Sequence, residues 1–278
     1  MTNDEQIKEL VKQKYGEIAL QDKETANCGC SSGCCSTEPF SMMTEDYSQL
    51  DGYNADADLG LGCGLPTKFA GIKAGDTVID LGSGAGNDCF VARAETGETG
   101  KVIGIDFTPA MVEKARINAE KRGFNNVEFR QGDIEKMPVG GNSADVVISN
   151  CVLNLLPQKD KIFKEIFRVL KPNGHFCISD VVLQGELPAK LKEAAEMYVG
   201  CVAGATQKDQ YLIEIFSAGF VQVKGVKETN IVIPDEVLEK YLNSEEMRKF
   251  KEENSKILSI TVTGVKPANC CDCSSGCC

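Results

Sequence analysis

The sequence predicts an α/β fold, a mostly parallel, doubly wound sheet with a closing antiparallel strand pair. Three observations predict it. From residue 76 onward, short apolar runs alternate with helical stretches, the pattern of a parallel sheet covered by helices. A glycine-rich turn, Gly82-Ser83-Gly84-Ala85-Gly86, joins the first apolar run to the first of these helices. Two late strand-like stretches, 220–229 and 256–266, flank a charged segment and read as a closing hairpin with a helix inserted between its strands.

The elements follow in order. Ile7, Leu10, Val11, Tyr15 and Ile18 recur at helical spacing over 3–20. Residues 24–39 are rich in Cys, Ser and Gly, end at Pro39 and read as a loop. Strands are expected at 77–82, 101–106, 126–131, 144–149 and 175–180, with a helix over 86–94. Thr108 and Pro109 suit an N-cap and a first helical position. Ile162, Phe163, Ile166, Phe167 and Leu170 mark an apolar helix face, ended by the LKPNG turn at 170–174. Two helices are expected within 188–218, and the charges at 235–256 read as a solvated helix face. The antiparallel pair is expected at a sheet edge.

The chain has 278 residues, 42% hydrophobic and 26% charged, with a net charge of -11. That balance fits a soluble α/β domain and argues against a phosphate-tracking surface. An anionic membrane would also repel it. The first residues, MTNDEQIKEL, lack a basic segment followed by an apolar stretch, so no secretory leader is expected. No apolar run is long enough to span a bilayer, and the expected location is the cytoplasm. His175 is the single histidine and Trp is absent. These counts exclude a multi-histidine metal site and argue against a Ser-His-Asp triad. His175 opens a strand and reads as structural.

Fourteen cysteines remain to be explained. In such a chain they point to metal binding, redox work or a soft substrate rather than to disulfides. CGCSSGCC at 28–35 and CDCSSGCC at 271–278 differ only at Gly29 and Asp272. Neither has the hydrophobic periodicity needed to fold without a ligand; either paired thiol capture or adventitious metal binding fits them. Cys89 and Cys177 lie inside apolar elements and read as small buried hydrophobes.

Gly82 and Gly84 permit a tight turn and close ligand approach. Asp106 ends the second strand, where an acid can hold ribose hydroxyls. A nicotinamide loop would read G-x-G-x-x-G, but here the third glycine comes early and Asn87 stands sixth. Asp80 and Asp88 bring negative charge to the mouth, which suits a cationic sulfonium better than a pyrophosphate. Gly132-Asp133-Ile134 follows the third strand, and LKPNG precedes the fifth.

With these motifs, the region from about residue 60 to 265 resembles the Rossmann-like class I S-adenosylmethionine-dependent methyltransferases. The resemblance implies a cofactor-binding set of Asp80, Gly82, Ser83, Gly84, Asp88, Asp106, Phe107, Met111, Gly132, Asp133, Ile134 and Asn150. Cys63 in GLGCGLPT, Cys151 in SNCVLNL and Cys201 in VGCVAGA extend it to the arsenite methyltransferases. That family implies trivalent arsenic held by Cys63, Cys151 and Cys201, with an upstream cysteine for which Cys34 and Cys35 are the nearest candidates. It also implies arsenite and methylated arsenicals as substrates, and a thiol reductant such as thioredoxin or glutathione. Soft trivalent arsenic pairs with thiolates, and its lone pair needs no general base.

The domain plan is then a helix and cysteine-rich segment at 1–58, a methyltransferase domain at 59–268 and a cysteine-rich tail at 269–278. Two other readings stay open: a class I methyltransferase on an ordinary oxygen, nitrogen or carbon nucleophile, with Asp180 as a base, or a non-catalytic thiol-rich metalloid binder.

Overall fold

A computed structural model describes residues 3–20, 45–193, 202, 204–253 and 255–268. After helix α1 (Asn3–Leu20) and a short α2 (Pro66–Ala70) come β1 (Thr77–Leu81), α3 (Asn87–Thr96), β2 (Lys101–Asp106), α4 (Pro109–Lys121) and β3 (Val127–Gln131). The chain continues through β4 (Ala144–Asn150), α5 (Lys159–Val169) and β5 (Leu170–Gln184). It ends with α6 (Ala189–Glu193), α7 (Lys208–Ser217), β6 (Val221–Ile231), α8 (Asp235–Leu238), α9 (Ser244–Glu252) and β7 (Lys256–Val265).

The strands form one seven-stranded sheet in the order β3-β2-β1-β4-β5-β7-β6. β1 to β5 run parallel, and β7 is antiparallel to both β5 and β6. Val78, Ile79 and Leu81 of β1 are fully buried, as expected for a central parallel strand covered on both faces. Strand order reverses between β1, which leads outward to β2, and β4, which leads the other way. Ligands of open α/β sheets bind at the strand C-termini at such a switch point.

Most expected elements stand within a residue or two of their sequence positions; in the span 188–218, where two helices are expected, α6 and α7 are described, and residues 194–201 and 203 lie outside the described residues. Four details differ. First, the antiparallel pair does lie at one end of the sheet, but β6 and not the later β7 is its outermost strand; the long register of β7 with β5, from His175–Val265 to Gln184–Lys256, sets it next to β5. That pairing also carries the fifth strand on to Gln184. Second, the LKPNG segment belongs to β5 from Leu170 onward. It is stitched to the end of β7 by Asn173 N donating to Lys266 O at 2.9 Å and Lys266 N donating to Gly174 O at 2.8 Å.

Third, Thr108 occupies the N-cap position of α4 without capping it, because its hydroxyl goes to the Asp106 carboxylate. Fourth, the charged insertion holds two helices, α8 and α9, and Asn243 with Glu246 forms a capping box on α9. The loop expected over 24–39 lies outside the described residues. Helix α1 packs into the same body as the sheet. Lys114 Nζ donates to Ala19 O at 3.0 Å, and Lys8 pairs with Asp133 and Glu135 at 2.8 and 2.7 Å.

Candidate active site

The pocket at the switch point is built from four loops. Gly82 and Gly84, with φ of 64° and 51°, turn the chain sharply between β1 and α3. A side chain at Gly82 would strike Val152 at 2.4 Å, whereas Gly84 faces open space. The loop is held by Gly82 N donating to Ile105 O at 2.7 Å and Gly84 N donating to Asp106 Oδ2 at 3.0 Å. Thr108 N donates to the other Asp106 oxygen at 2.8 Å. Asp106 is thereby fixed at the end of β2 by two backbone N–H groups.

Four acids line the cavity: Asp58, Asp80, Asp88 and Asp106. Among the described residues no Lys, Arg or His does. Burial pushes the Asp80 carboxyl well above its usual range, and the neighbouring Asp88 charge adds to the rise. Burial likewise lifts Asp88 to about 6 and raises Asp106. Buried carboxylates with no cation beside them hold their charge at a cost. A cationic ligand would relieve it. The Cys89 thiol donates to Asp80 at 3.2 Å, and Tyr47 Oη donates to the Asp88 carboxylate at 2.9 Å.

Of the expected cofactor set, Asp80, Gly82, Ser83, Gly84, Asp88, Asp106, Phe107 and Asn150 line this pocket. Met111, Gly132, Asp133 and Ile134 do not. Met111 is fully buried in α4, and Gly132 N donates to the backbone oxygen of Asp106 behind the wall. Ile134 sits in the main core. Asp133 receives Lys8 and caps the short helical turn that follows it. Sequence reasoning missed Tyr47, an isolated aromatic in a loop with no motif around it. It read Val11 and Tyr15 as an apolar helix face, and both line the pocket.

Two thiols adjoin the acidic pocket. Cys151 follows the last residue of β4 and lines the cavity. Its φ of 59° is a left-handed conformation uncommon outside glycine, and its N–H donates to Ser179 O at 2.8 Å. Cys63 lies in the loop before α2, with N–H donating to Asn150 Oδ1 at 3.0 Å and its carbonyl accepting from Ser259 Oγ at 2.5 Å. Both are almost fully buried and share one apolar cluster with Val11, Leu155, Val181 and Val202. Val202 directly follows Cys201 in the chain. Cys201, Cys34 and Cys35 themselves lie outside the described residues, as do both terminal cysteine clusters. Among the described residues no group of three or more His, Cys, Asp or Glu side chains is arranged to hold a metal ion.

The remaining candidates sit elsewhere. Cys89 and Cys177 are fully buried, as expected of small hydrophobes. Burial pushes the Cys177 thiol up to about 12. Asp180 is lifted by burial to about 7 but does not line the pocket. It faces Asn154 and Tyr211, at 2.9 and 3.3 Å. His175 Nε2 donates to Ala70 O, a structural tie between β5 and α2. No described helix is long and apolar enough to cross a membrane.

Residues 72–219 match the family model of a methyltransferase domain. The chain is 43% identical over 235 residues to the arsenite methyltransferase of Halobacterium salinarum, covering 79% of this chain and 59% of that one. It is 32% identical to the human arsenite methyltransferase over 253 residues, covering 86% of this chain and 64% of its relative. The chain thus spans about three fifths of the length of these relatives. Among solved structures it resembles an arsenic(III) S-adenosylmethionine methyltransferase from Chlamydomonas reinhardtii, with a TM-score of 0.64 and 34% identity over 74% of this chain and 68% of that one.

Proposed function

The chain belongs to the arsenite methyltransferase family of S-adenosylmethionine-dependent methyltransferases, and from that premise we propose that it transfers methyl groups from S-adenosylmethionine to trivalent arsenic held by cysteine thiolates. The observation that carries the reading is the junction at Asn150 and Cys151. There a cavity lined by four acids and, among the described residues, no Lys, Arg or His meets a buried apolar cluster holding Cys63 and Cys151.

The donor set fits the cofactor, which would supply a methyl group on a positively charged sulfur. Asp106 would hold the ribose hydroxyls, its carboxylate already fixed by two backbone N–H groups. Asp80 and Asp88 would face the positive charges of the cofactor, and Gly82 and Gly84 would let it lie against the backbone. Asp133 enters this account only through the wall it braces with Lys8.

Trivalent arsenic, as substrate, would sit on the soft sulfurs of Cys63 and Cys151. Cys201, which lies outside the described residues, is proposed as the third sulfur on the family resemblance alone. The arsenic lone pair would take up the methyl group that the cofactor supplies, with the electrons of the carbon–sulfur bond left on the cofactor. No proton leaves the nucleophile, so the pocket needs no histidine or lysine. The protein contributes position, holding arsenic against the methyl group. Asp180, the alternative base, does not line the pocket and is engaged by Asn154 and Tyr211.

Methylated arsenicals would serve as further substrates, and a thiol reductant such as thioredoxin or glutathione would return arsenic and thiols to their starting states. We place the protein in the reducing cytoplasm, where its cysteines stay available, in a detoxifying role. We assign residues 59–268 as the methyltransferase domain, 1–58 as an N-terminal helix and cysteine-rich segment and 269–278 as a thiol-rich tail. Incubation with methyl-labelled S-adenosylmethionine, a thiol reductant and arsenite tests the reading. Labelled methylated arsenic is the expected product; label retained entirely on the cofactor would overturn it.

A further inference from the structure

Asn150 ends β4 immediately before Cys151, and its side chain reaches in two directions. Toward the loop before α2, Oδ1 accepts from Cys63 N at 3.0 Å and Nδ2 donates to Gly64 O at 2.8 Å. Toward the acidic pocket, Nδ2 donates to Tyr47 Oη at 2.5 Å and lies 3.3 Å from Asp88 Oδ2. Tyr47 Oη in turn contacts the Asp88 carboxylate at 2.9 and 3.0 Å. One amide therefore grips the backbone on either side of a substrate thiol and also touches the acid that faces the cofactor.

The fit is close. A side chain at Gly62 would come within 2.5 Å of Asn150 Nδ2, and one at Gly64 within 2.5 Å of Ser179 Oγ. The loop carrying Cys63 is thus pressed onto Asn150 and β5, with little slack to absorb a shift of the amide. A cation in the pocket favours ionised Asp88, which accepts stronger hydrogen bonds from Tyr47 and Asn150 than its neutral form does. The orientation of the amide, and with it the Cys63 backbone, follows.

We propose that Asn150 is a positioning residue that couples the two halves of the site, so that a bound cationic cofactor tightens arsenic binding at Cys63 and bound arsenic tightens cofactor binding by the same factor. This rests on the substrate reading above. Ser259 holds the Cys63 carbonyl from the other side without touching the acidic pocket, so it contributes to arsenic binding and not to the coupling.

The test reads the coupling from the cofactor side, which keeps the terminal cysteine clusters out of the signal. Calorimetry measures the affinity of the full chain for the non-reactive analogue in which an amine replaces the sulfonium, with and without saturating arsenite. The wild type should bind the analogue at least about five-fold more tightly when arsenite is present. Asn150→Ala should bring that factor to about one, and Ser259→Ala should leave it in place. Tyr47→Phe, which removes one oxygen and keeps the packing, should lower the factor and covers the case in which Asn150→Ala fails to fold. A wild-type factor of one in protein that methylates arsenite would overturn the coupling alone, as would an undiminished factor in Asn150→Ala or Tyr47→Phe. Wild-type protein that does not methylate arsenite would instead overturn the substrate reading, and the coupling with it.

Discussion

The two halves of the site are opposites in polarity. One side gathers four acids with no Lys, Arg or His among the described residues that line it, and burial raises Asp80, Asp88 and Asp106 above the ordinary carboxylate range. The other side is apolar, with Cys63 and Cys151 set among Val11, Leu155 and Val181. They meet at adjacent residues of one strand end, Asn150 and Cys151. The contrast teaches what each half selects. The acids store a charge cost that a cation relieves, whereas the thiols in apolar surroundings favour a soft ligand over a hydrated ion.

The largest expected effects separate the halves. Cys151→Ser or Cys63→Ser should abolish methyl transfer to arsenite while leaving cofactor affinity unchanged by calorimetry. Full activity in either variant would remove that cysteine from the site. In the acidic half, Asp106→Ala should weaken cofactor binding by about 1–3 kcal/mol, the scale of lost charge-assisted hydrogen bonds. Unchanged affinity would break the ribose assignment.

A subtler contrast lies in pH. Asp88 titrates near 6 in the folded protein, raised by burial. A raised acid holds its proton more tightly than in the unfolded chain, so its ionisation costs stability that accumulates as pH rises through 4 to 6. The ligand-free protein should therefore gain stability from Asp88 as pH falls from 7 toward 5. Cofactor affinity should move the other way, rising with pH through about 6 as the carboxylate becomes available to a cation. Affinity flat across that interval would detach Asp88 from the cofactor. The smallest effect belongs to a residue outside both halves. His175→Ala loses its tie to Ala70 O, costs about 1 kcal/mol in denaturant unfolding and should leave the shape of the pH–rate profile intact. Loss of a limb of that profile would reveal a histidine-dependent step.

The same contrast explains what was legible in the sequence. The acidic half follows a local grammar: Asp80 to Gly86 sits between a strand and a helix, and Asp106 ends the next strand, so both could be placed at the strand C-termini before any coordinates. Tyr47 and the Lys8–Asp133 pair depend on contacts between segments far apart in the chain and carry no local signal. Thr108 shows a local rule overridden, since its hydroxyl serves Asp106 rather than the helix it precedes. The course of β7 was hidden for a related reason: alternation marks a strand without saying which neighbours it takes, and only its pairing with β5 put it inside the sheet. Cys151 was legible as a thiol at a strand end, but its left-handed backbone was not.

The central claim is that arsenic is held by the thiols beside the acidic pocket. Arsenic X-ray absorption with one equivalent of arsenite tests it most directly when the cysteines of 270–278 and 28–35 are replaced by serine in both proteins and the otherwise wild-type chain is compared with the Cys63→Ser, Cys151→Ser double variant. The account predicts an all-sulfur shell around arsenic in the otherwise wild-type chain and replacement of sulfur by oxygen in the variant. The same all-sulfur shell in both would assign arsenic to cysteines outside the site and contradict the account.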